Sequence, residues 1–168
     1  MKPLSCYMFL GFLFVSAAGT LSHFIYEWSG KLAVIGLFFP VNESTWEHMK
    51  LLFFPMLLYT LFLCLTKGRS QPNLCPALFA GTLLGAFSIP AIFYTYQGIL
   101  GFNTLILDIL VFFFSTALGF FTACRLSKKP FSARNRIFLG ILTAVTFAAF
   151  LLFTVYPPSI GLFLPPWE

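Results

Sequence analysis

The chain has 168 residues, of which 59% are hydrophobic, only 9% are charged and 24 are phenylalanine. A soluble domain has about 45–50% apolar and about 25% charged residues, so one water-soluble core cannot bury this many apolar side chains. The net charge is +5, but the basic residues lie in short loops between apolar segments, which favours topology signals over nucleic-acid binding. The composition therefore predicts an integral membrane protein whose main partner is the lipid bilayer.

Five apolar stretches are long enough to cross a hydrocarbon core of about 30 Å, which needs about 20 helical residues. In chain order they cover residues 4–25, 45–66, 74–96, 103–124 and 137–157. Pro55 and Pro90 fall inside the second and third, where membrane helices tolerate proline as a kink. The apolar stretch 31–41 has about half the required length, and we interpret it as re-entrant or interfacial. We predict an all-α bundle of five transmembrane helices, a single membrane domain over residues 1–168.

The basic residues are divided unequally between the two sides of this predicted bundle. Eight of the ten fall on one side: Lys2, Lys67, Arg69, Arg125, Lys128, Lys129, Arg134 and Arg136. Only Lys31 and Lys50 fall on the other, where Trp28, Trp46 and Trp167 gather as in an interfacial aromatic belt. The positive-inside rule therefore predicts a cytoplasmic N-terminus and an outer C-terminus in a cell membrane.

The first apolar stretch and the cysteines allow alternative interpretations. Lys2, an apolar run and Val15-Ser16-Ala17-Ala18 also fit a signal peptide, but the run stays apolar to Ile25, which favours a membrane span. The four cysteines form no C-x-x-C pair and no metal-ligand spacing: Cys6, Cys64, Cys75 and Cys124. Each lies near a span end predicted to be cytoplasmic, so we expect free thiols.

Small residues recur at four-residue spacing in the third and fourth spans. They are Ala77, Gly81 and Gly85 in the third and Ser115, Gly119 and Ala123 in the fourth. Such a stripe lets backbones approach closely, either between two helices of one chain or in a homo-oligomer through Gly81, Gly85, Ser115 and Gly119. Asp108 lies seven residues before Ser115 on the same stripe, so we predict that it points into the bundle.

The acidic residues and the histidines concentrate in the predicted outer half of the bundle. All five acids and both histidines are there: His23, Glu27, Glu43, Glu47, His48, Asp108 and Glu168. Ionisable groups at membrane depth cost at least about 2.5–3.5 kcal/mol, so they are usually paired or functional. His23 and Glu27 are four residues apart and would share a helix face. This clustering is the main functional signal in the sequence.

The segment that begins the second span contains both structural and functional signals. Ser44 with Glu47 fits the capping box S-x-x-E, and Asn42 is an alternative cap. Glu43, Glu47 and Lys50 follow a helical spacing that would let the lysine pair with a carboxylate. Much of this segment therefore has a structural reason to exist, whatever it binds.

Two motifs carry a resemblance to a known family: His23-Phe24-Ile25-Tyr26-Glu27-Trp28-Ser29-Gly30, and Pro40-Val41-Asn42-Glu43-Ser44-Thr45-Trp46-Glu47-His48-Met49-Lys50-Leu51. The chain resembles small multi-pass membrane proteins of Gram-positive bacteria that are grouped as a domain of unknown function. Tyr156-Pro157-Pro158 and Leu162-Phe163 resemble the C-terminal end of that family, but Leu164-Pro165-Pro166 stands where its pattern has an acid before a proline. The resemblance implies a bacterial cell membrane and no known activity.

The polar cluster leads to a hypothesis and two alternatives. We expect an outward-facing site that binds a cation or small polar ligand, and a role in transport is one form of this hypothesis. The residues of the site are His23, Glu27, Asn42, Glu43, Glu47, His48 and Asp108. A divalent metal such as zinc would be ligated by His23, Glu27, Glu47, His48 and Asp108. The alternatives are a membrane-embedded metal-dependent hydrolase acting on lipid head groups, and a non-catalytic assembly partner with a structural ion-pair network. The sequence contains no G-x-S-x-G, H-E-x-x-H or phosphate-binding loop, so no catalytic residue is assigned.

Overall fold

The computed structural model describes residues 4–165, so Lys2, Trp167 and Glu168, which the sequence analysis used, lie outside the described residues. The described chain consists of six α-helices and a final 3-10 turn, without a strand. They are α1 (Leu4–Trp28), α2 (Ala33–Gly36), α3 (Thr45–Lys67), α4 (Leu74–Leu100), α5 (Leu105–Leu126), α6 (Ala133–Val155) and the turn Gly161–Phe163. The predicted all-α class is confirmed.

The five long helices are long and apolar enough to cross a membrane, and α2 is the short segment between the first two. Helices α1 and α4 extend three and four residues beyond the predicted spans, to Trp28 and Leu100. Gly101 then ends α4 in the left-handed region (φ 77°), which a residue without a Cβ adopts at little cost. Ser44, Thr104 and Ser132 begin α3, α5 and α6 with side-chain caps.

Four of the long helices form a ring in which each packs on two neighbours, in the order α1, α3, α4, α5. Helix α6 packs outside the ring against α4 and contributes only Thr143, Thr146 and Phe150 to the buried interior. We call the end of the bundle that contains the last turn of α1 and the first turn of α3 the site end. We call the opposite end, which carries Lys67 and Arg125, the basic end.

Helices α4 and α5 make the closest backbone approach in the ring. A Cβ built on Gly81 would overlap the carbonyl oxygen of Gly119, and one built on Gly119 would lie 2.8 Å from the carbonyl oxygen of Gly81. A Cβ on Gly85 would lie 3.1 Å from the carbonyl oxygen of Ser115. The small-residue stripe is therefore used between two helices of one chain, and its use in a homo-oligomer stays a prediction.

Aromatic packing attaches the C-terminal segment to α3 at the site end. Trp46, at the start of α3, contacts Phe150 of α6 with ring centroids 4.7 Å apart and Phe163 of the final turn at 4.9 Å. The hydroxyl of Tyr94 on α4 donates to the carbonyl oxygen of Gly161 at 3.0 Å. The C-terminal segment thus covers the first turn of α3 from outside the ring.

Two of the four cysteines form a disulfide in the structure. Cys64, near the end of α3, pairs with Cys75, near the start of α4, with Cα atoms 5.4 Å apart. The prediction of a free thiol was therefore wrong for these two residues, while Cys6 and Cys124 are free. The pairing follows from where the short turn between α3 and α4 brings the helix ends together, which residue spacing in the sequence does not reveal.

We expect Gly81→Ala to destabilise the bundle by about 1–3 kcal/mol, because its methyl group forces α4 away from α5. Gly140→Ala on α6 is the matched control, since no heavy atom lies within 4 Å of a Cβ built there. The measurement is the thermal unfolding midpoint of the two variants and the wild type in one detergent. Equal midpoints for Gly81→Ala and Gly140→Ala would contradict the close approach of α4 and α5.

Candidate functional site

A tight turn at the site end brings the chain from α1 back toward the bundle. Gly30 (φ 71°) and Lys31 (φ 63°) both adopt left-handed backbone, and the amide of Lys31 donates to the carbonyl oxygen of Tyr26 at 3.1 Å. Helix α2 and the loop of residues 37–44 follow and lead into α3. This loop carries Glu43 over the ends of α1 and α3, so its conformation decides where the Glu43 carboxylate lies.

A buried ion pair anchors the loop. Lys50 is 1% exposed and Glu47 is 2% exposed, and the ammonium Nζ lies 2.7 Å from the Glu47 carboxylate oxygen Oε2. The same ammonium donates to the carbonyl oxygen of Gly36 at 3.0 Å and to the hydroxyl of Thr154 at 2.5 Å. All three ammonium hydrogens therefore have acceptors, from α2, α3 and α6, which is what a buried lysine requires.

Hydrogen bonds within the loop complete its attachment to α3. The Glu47 carboxylate accepts the amide of Val41 at 3.0 Å, and the Ser44 hydroxyl caps the amide of Glu47 at 3.3 Å. The Asn42 side chain accepts the amide of Ser44 at 2.9 Å, which is the bond that Glu47 would accept in a standard capping box. Asn42 and Glu47 thus hold the loop that carries Glu43.

Three potential metal ligands from two helices and the loop converge at the site end. The Glu43 carboxylate oxygen Oε2 lies 3.5 Å from Nε2 of His23 on α1 and 3.4 Å from Nε2 of His48 on α3. One ligand atom from each of the three residues lies within 4.8 Å of the other two. We call His23, Glu43 and His48 the His/Glu cluster. All three side chains are partly exposed, so an ion from solution can reach them.

The orientation of the His48 ring is set by the backbone. Its Nδ1 lies 2.9 Å from the carbonyl oxygen of Ser44, which can only accept, so Nδ1 carries a hydrogen. In the neutral imidazole, Nε2 is then the nitrogen with the lone pair, and this nitrogen faces Glu43. A backbone carbonyl in this position is a common outer partner of metal-ligating histidines, because it fixes tautomer and direction.

Glu43 is ionised over the whole range of ordinary pH. Hydrogen bonds with His23, and then with His48, hold the pKa of the Glu43 carboxyl well below its usual value. Burial acts in the opposite direction but is a smaller effect. The Glu43 carboxylate therefore carries a negative charge between the two rings.

Asp108 lies in the first turn of α5 and accepts a short hydrogen bond from the hydroxyl of Tyr96 on α4. The two residues stand at similar distances from the turn between these helices, so they face each other across it. A carboxylate is also stabilised by the free amide groups at a helix start. As predicted from its stripe, the side chain of Asp108 points inward, because it lines a pocket between the helices.

This pocket has a volume of about 410 Å³ and opens between α1, α3, α4 and α5. His23, Glu43, His48, Asp108, Thr45 and Asn103 supply its polar lining. Deeper in the bundle its walls are apolar and include Leu51, Ile89 and Phe112. The His/Glu cluster thus lies at the mouth of a cavity whose size is in the usual range for small-molecule sites.

The structure divides the seven residues proposed for the site into two groups. His23, Glu43, His48 and Asp108 line one pocket. Glu27 instead pairs with Lys31 at 3.2 Å on the exposed surface, while Asn42 and Glu47 hold the loop. Sequence reasoning gave Glu43 no role as a metal ligand, because its position depends on the fold of the loop.

Tyr96 and Asn103 also belong to the pocket region and were missed. Tyr96 bonds Asp108, and Asn103 lines the mouth. The signal that could have found Tyr96 is its placement opposite Asp108 across the short turn between two antiparallel spans.

Comparison with known proteins assigns a family without an activity. The sequence model of DUF6512, a family of unknown function, matches residues 1–166. No curated protein and no solved structure matches the chain significantly. The chemistry of the pocket must therefore be argued from its own residues.

We expect Glu47→Ala to destabilise the protein by about 3–5 kcal/mol, because it leaves the Lys50 ammonium buried without its counter-charge. Glu27→Ala is the matched control, since it removes an exposed pair worth at most about 1 kcal/mol. Denaturant or thermal unfolding of the purified variants measures the difference. A Glu47→Ala variant as stable as Glu27→Ala would refute the anchoring role of the ion pair.

Proposed function

The chain belongs to DUF6512, a family of unknown function, and we propose that it is a multi-pass membrane protein that binds a divalent metal ion, zinc above all, at its outer face. The ligands are Nε2 of His23, Nε2 of His48 and a carboxylate oxygen of Glu43. The observation that carries this proposal is the convergence of these three atoms from three separate parts of the chain. This is the cation-binding form of the hypothesis drawn from the sequence.

The separations of the ligand atoms support zinc. Zinc binds histidine nitrogen and carboxylate oxygen at about 2.0–2.2 Å, so two ligands of a tetrahedral ion lie about 3.3–3.6 Å apart. The Glu43 oxygen lies 3.5 Å and 3.4 Å from the two histidine nitrogens. Two histidines, one carboxylate and a position left for an exchangeable ligand form a set that zinc uses in proteins.

The tautomer of His48 adds a second argument. Because its Nδ1–H is committed to Ser44, a neutral His48 would direct its Nε2 lone pair at the Glu43 carboxylate. Two electron-rich atoms at 3.4 Å repel each other unless a cation lies between them. The cation is either a proton on Nε2 or a metal ion shared by all three ligands, and measurement of bound metal separates the two cases.

The buried interior below the cavity favours a binding site over a transport pathway. Leu52, Met56 and Ala86 are 0% exposed and belong to the packed core of the ring. The three ligands line the same cavity as Asp108. A ligand that enters from the site end would therefore meet the metal ion and remain on that side.

The positive-inside rule orients the site. Of the basic residues in the described chain, those of the basic end lie in the two turns that join α3 to α4 and α5 to α6, or in the helix ends beside these turns. On the site end, Lys31 and Lys50 are paired with Glu27 and Glu47. The Cys64–Cys75 pair also lies at the basic end and argues the other way, because disulfides are rare in the cytosol. We give more weight to the distribution of basic residues and infer that the basic end is cytoplasmic and that the His/Glu cluster faces the outside of a bacterial cell membrane.

Metal analysis of the protein, purified without chelators or an affinity tag that binds metal, tests the site. We expect near-stoichiometric zinc in the wild type and its loss in His48→Ala and in Glu43→Gln, because each variant removes one of three ligands. Glu27→Gln is the control and keeps its zinc, since Glu27 pairs with Lys31 outside the pocket. Absence of metal from the wild type after incubation with zinc and removal of the excess would refute the proposal.

A labelling experiment tests the orientation. We expect a membrane-impermeant maleimide to label Leu32→Cys in intact cells and to label Lys128→Cys only after lysis, with the wild type giving the background. Both positions are exposed, and they lie at opposite ends of the bundle. The reverse pattern would place the His/Glu cluster in the cytoplasm.

A further inference from the structure

The cavity below the His/Glu cluster changes in polarity with depth. Its charged lining comes from helix ends and the loop, at His23, Glu43, His48 and Asp108. Ile89, in contrast, lies eleven residues before the end of α4, which is about 16 Å along the helix axis. With Leu51, Phe93, Val111 and Phe112 it forms an apolar lower half. The cavity therefore has a charged mouth and an apolar lower half, which we call its floor.

A hydrated ion or a small polar molecule does not explain this floor. A metal ion with a water ligand needs only the mouth, and an apolar cavity gains nothing from being filled with water. A ligand that covers the apolar walls would gain free energy from every methylene group it buries there. The shape and lining therefore fit a ligand with one polar end and one hydrocarbon end.

The volume limits the length of that hydrocarbon. At roughly 30 Å³ for each water-sized group, a cavity of about 410 Å³ holds on the order of a dozen such groups. This is room for a headgroup with one chain of about eight carbons, and it is too small for the two chains of a bilayer phospholipid. Leu105 lines the cavity and is 75% exposed, so the cavity is open at the first turn of α5, where the fourth of the five long apolar helices begins.

Charge selects the headgroup. A zinc ion held by two neutral histidines and the Glu43 carboxylate keeps one net positive charge toward the cavity. Asp108 accepts the Tyr96 hydroxyl and lies at the helix start of α5, so its carboxylate is stabilised but keeps its negative charge on the cavity wall. A carboxylate can bind the metal ion directly and offset its remaining positive charge, whereas Glu43 and Asp108, which line the same mouth, would repel a dianion.

We propose that the cavity binds a single-chain carboxylate, with the carboxylate on the metal ion and the hydrocarbon chain against Leu51, Ile89 and Val111. This deepens, and rests on, the metal site proposed above. The ligand is defined by its chemistry: one oxyanion charge and one chain of medium length. It approaches from the outer leaflet or from the solution at the site end.

Cobalt-substituted protein in lipid nanodiscs tests the proposal, because the visible spectrum of tetrahedral Co²⁺ reports directly on a carboxylate that joins its ligands. The probes are acetate, butyrate, hexanoate and octanoate, with octylammonium as the matched cation. We expect the carboxylates to shift the spectrum with an affinity that rises about fourfold per methylene, and octylammonium to leave the spectrum unchanged.

Variants separate the cavity from the bilayer as the source of any chain-length effect. Ile89→Trp, or Val111→Phe if the first does not fold, fills the floor of the cavity. We expect acetate still to shift the spectrum of this variant, while the increase of carboxylate affinity with chain length is lost. Leu58→Trp, on the exposed surface of α3, is the control and keeps the full gain. An equal increase of affinity with chain length in Ile89→Trp and Leu58→Trp would overturn the proposal, because partition of the chain into the bilayer would then explain that increase.

The remaining outcomes distinguish failure of this inference from failure of the metal site. A spectral shift with every carboxylate and no dependence on chain length would overturn the single-chain ligand and leave the metal site intact. Failure of the wild type to bind cobalt or zinc would overturn the metal site and, with it, the headgroup contact proposed here. A shift caused by octylammonium would refute the carboxylate as the headgroup.

Discussion

The Lys50–Glu47 ion pair is the interaction on which the site end depends. An ammonium group cannot remain buried among membrane helices without acceptors, and this one binds α2, α3 and α6 at once through Gly36, Glu47 and Thr154. Because Glu47 also accepts the amide of Val41, the same pair holds the loop of residues 37–44 in place. The position of Glu43 over the two histidines is therefore a consequence of burying a charge elsewhere.

Neighbouring carboxylates in this loop have opposite roles because their surroundings differ. Glu47 is 2% exposed and surrounded by protein donors, so it has no free coordination and serves the fold. Glu43 is partly exposed, meets only two imidazole rings and remains ionised because its pKa is lowered by them. The first arrangement is complete without a ligand, whereas the second becomes favourable only when a proton or a metal ion lies between its members.

The ring of four helices encloses the cavity that the His/Glu cluster lines. Glycines let α4 and α5 touch along the middle of the bundle, where Gly81 meets Gly119, and the space between the helices widens toward the site end. Polar residues cluster at the mouth since helix ends and loops offer water and backbone partners there. Apolar residues line the floor since membrane depth excludes unpaired polar groups. A charged mouth over an apolar floor is thus the arrangement that a membrane helix ring produces when it leaves room for a ligand.

The sequence by itself determined the all-α class, the five spans and the short segment between the first two, because hydrophobic length is a local property of the chain. It also predicted that Lys50 could pair with a carboxylate on its own helix face, Glu43 or Glu47, and the structure shows that the partner is Glu47. Tertiary structure alone decided that Glu43 joins His23 and His48, that Glu27 turns to Lys31, and that Cys64 meets Cys75. These outcomes depend on loop conformation and on which helices are neighbours, and no periodicity in a single segment records either.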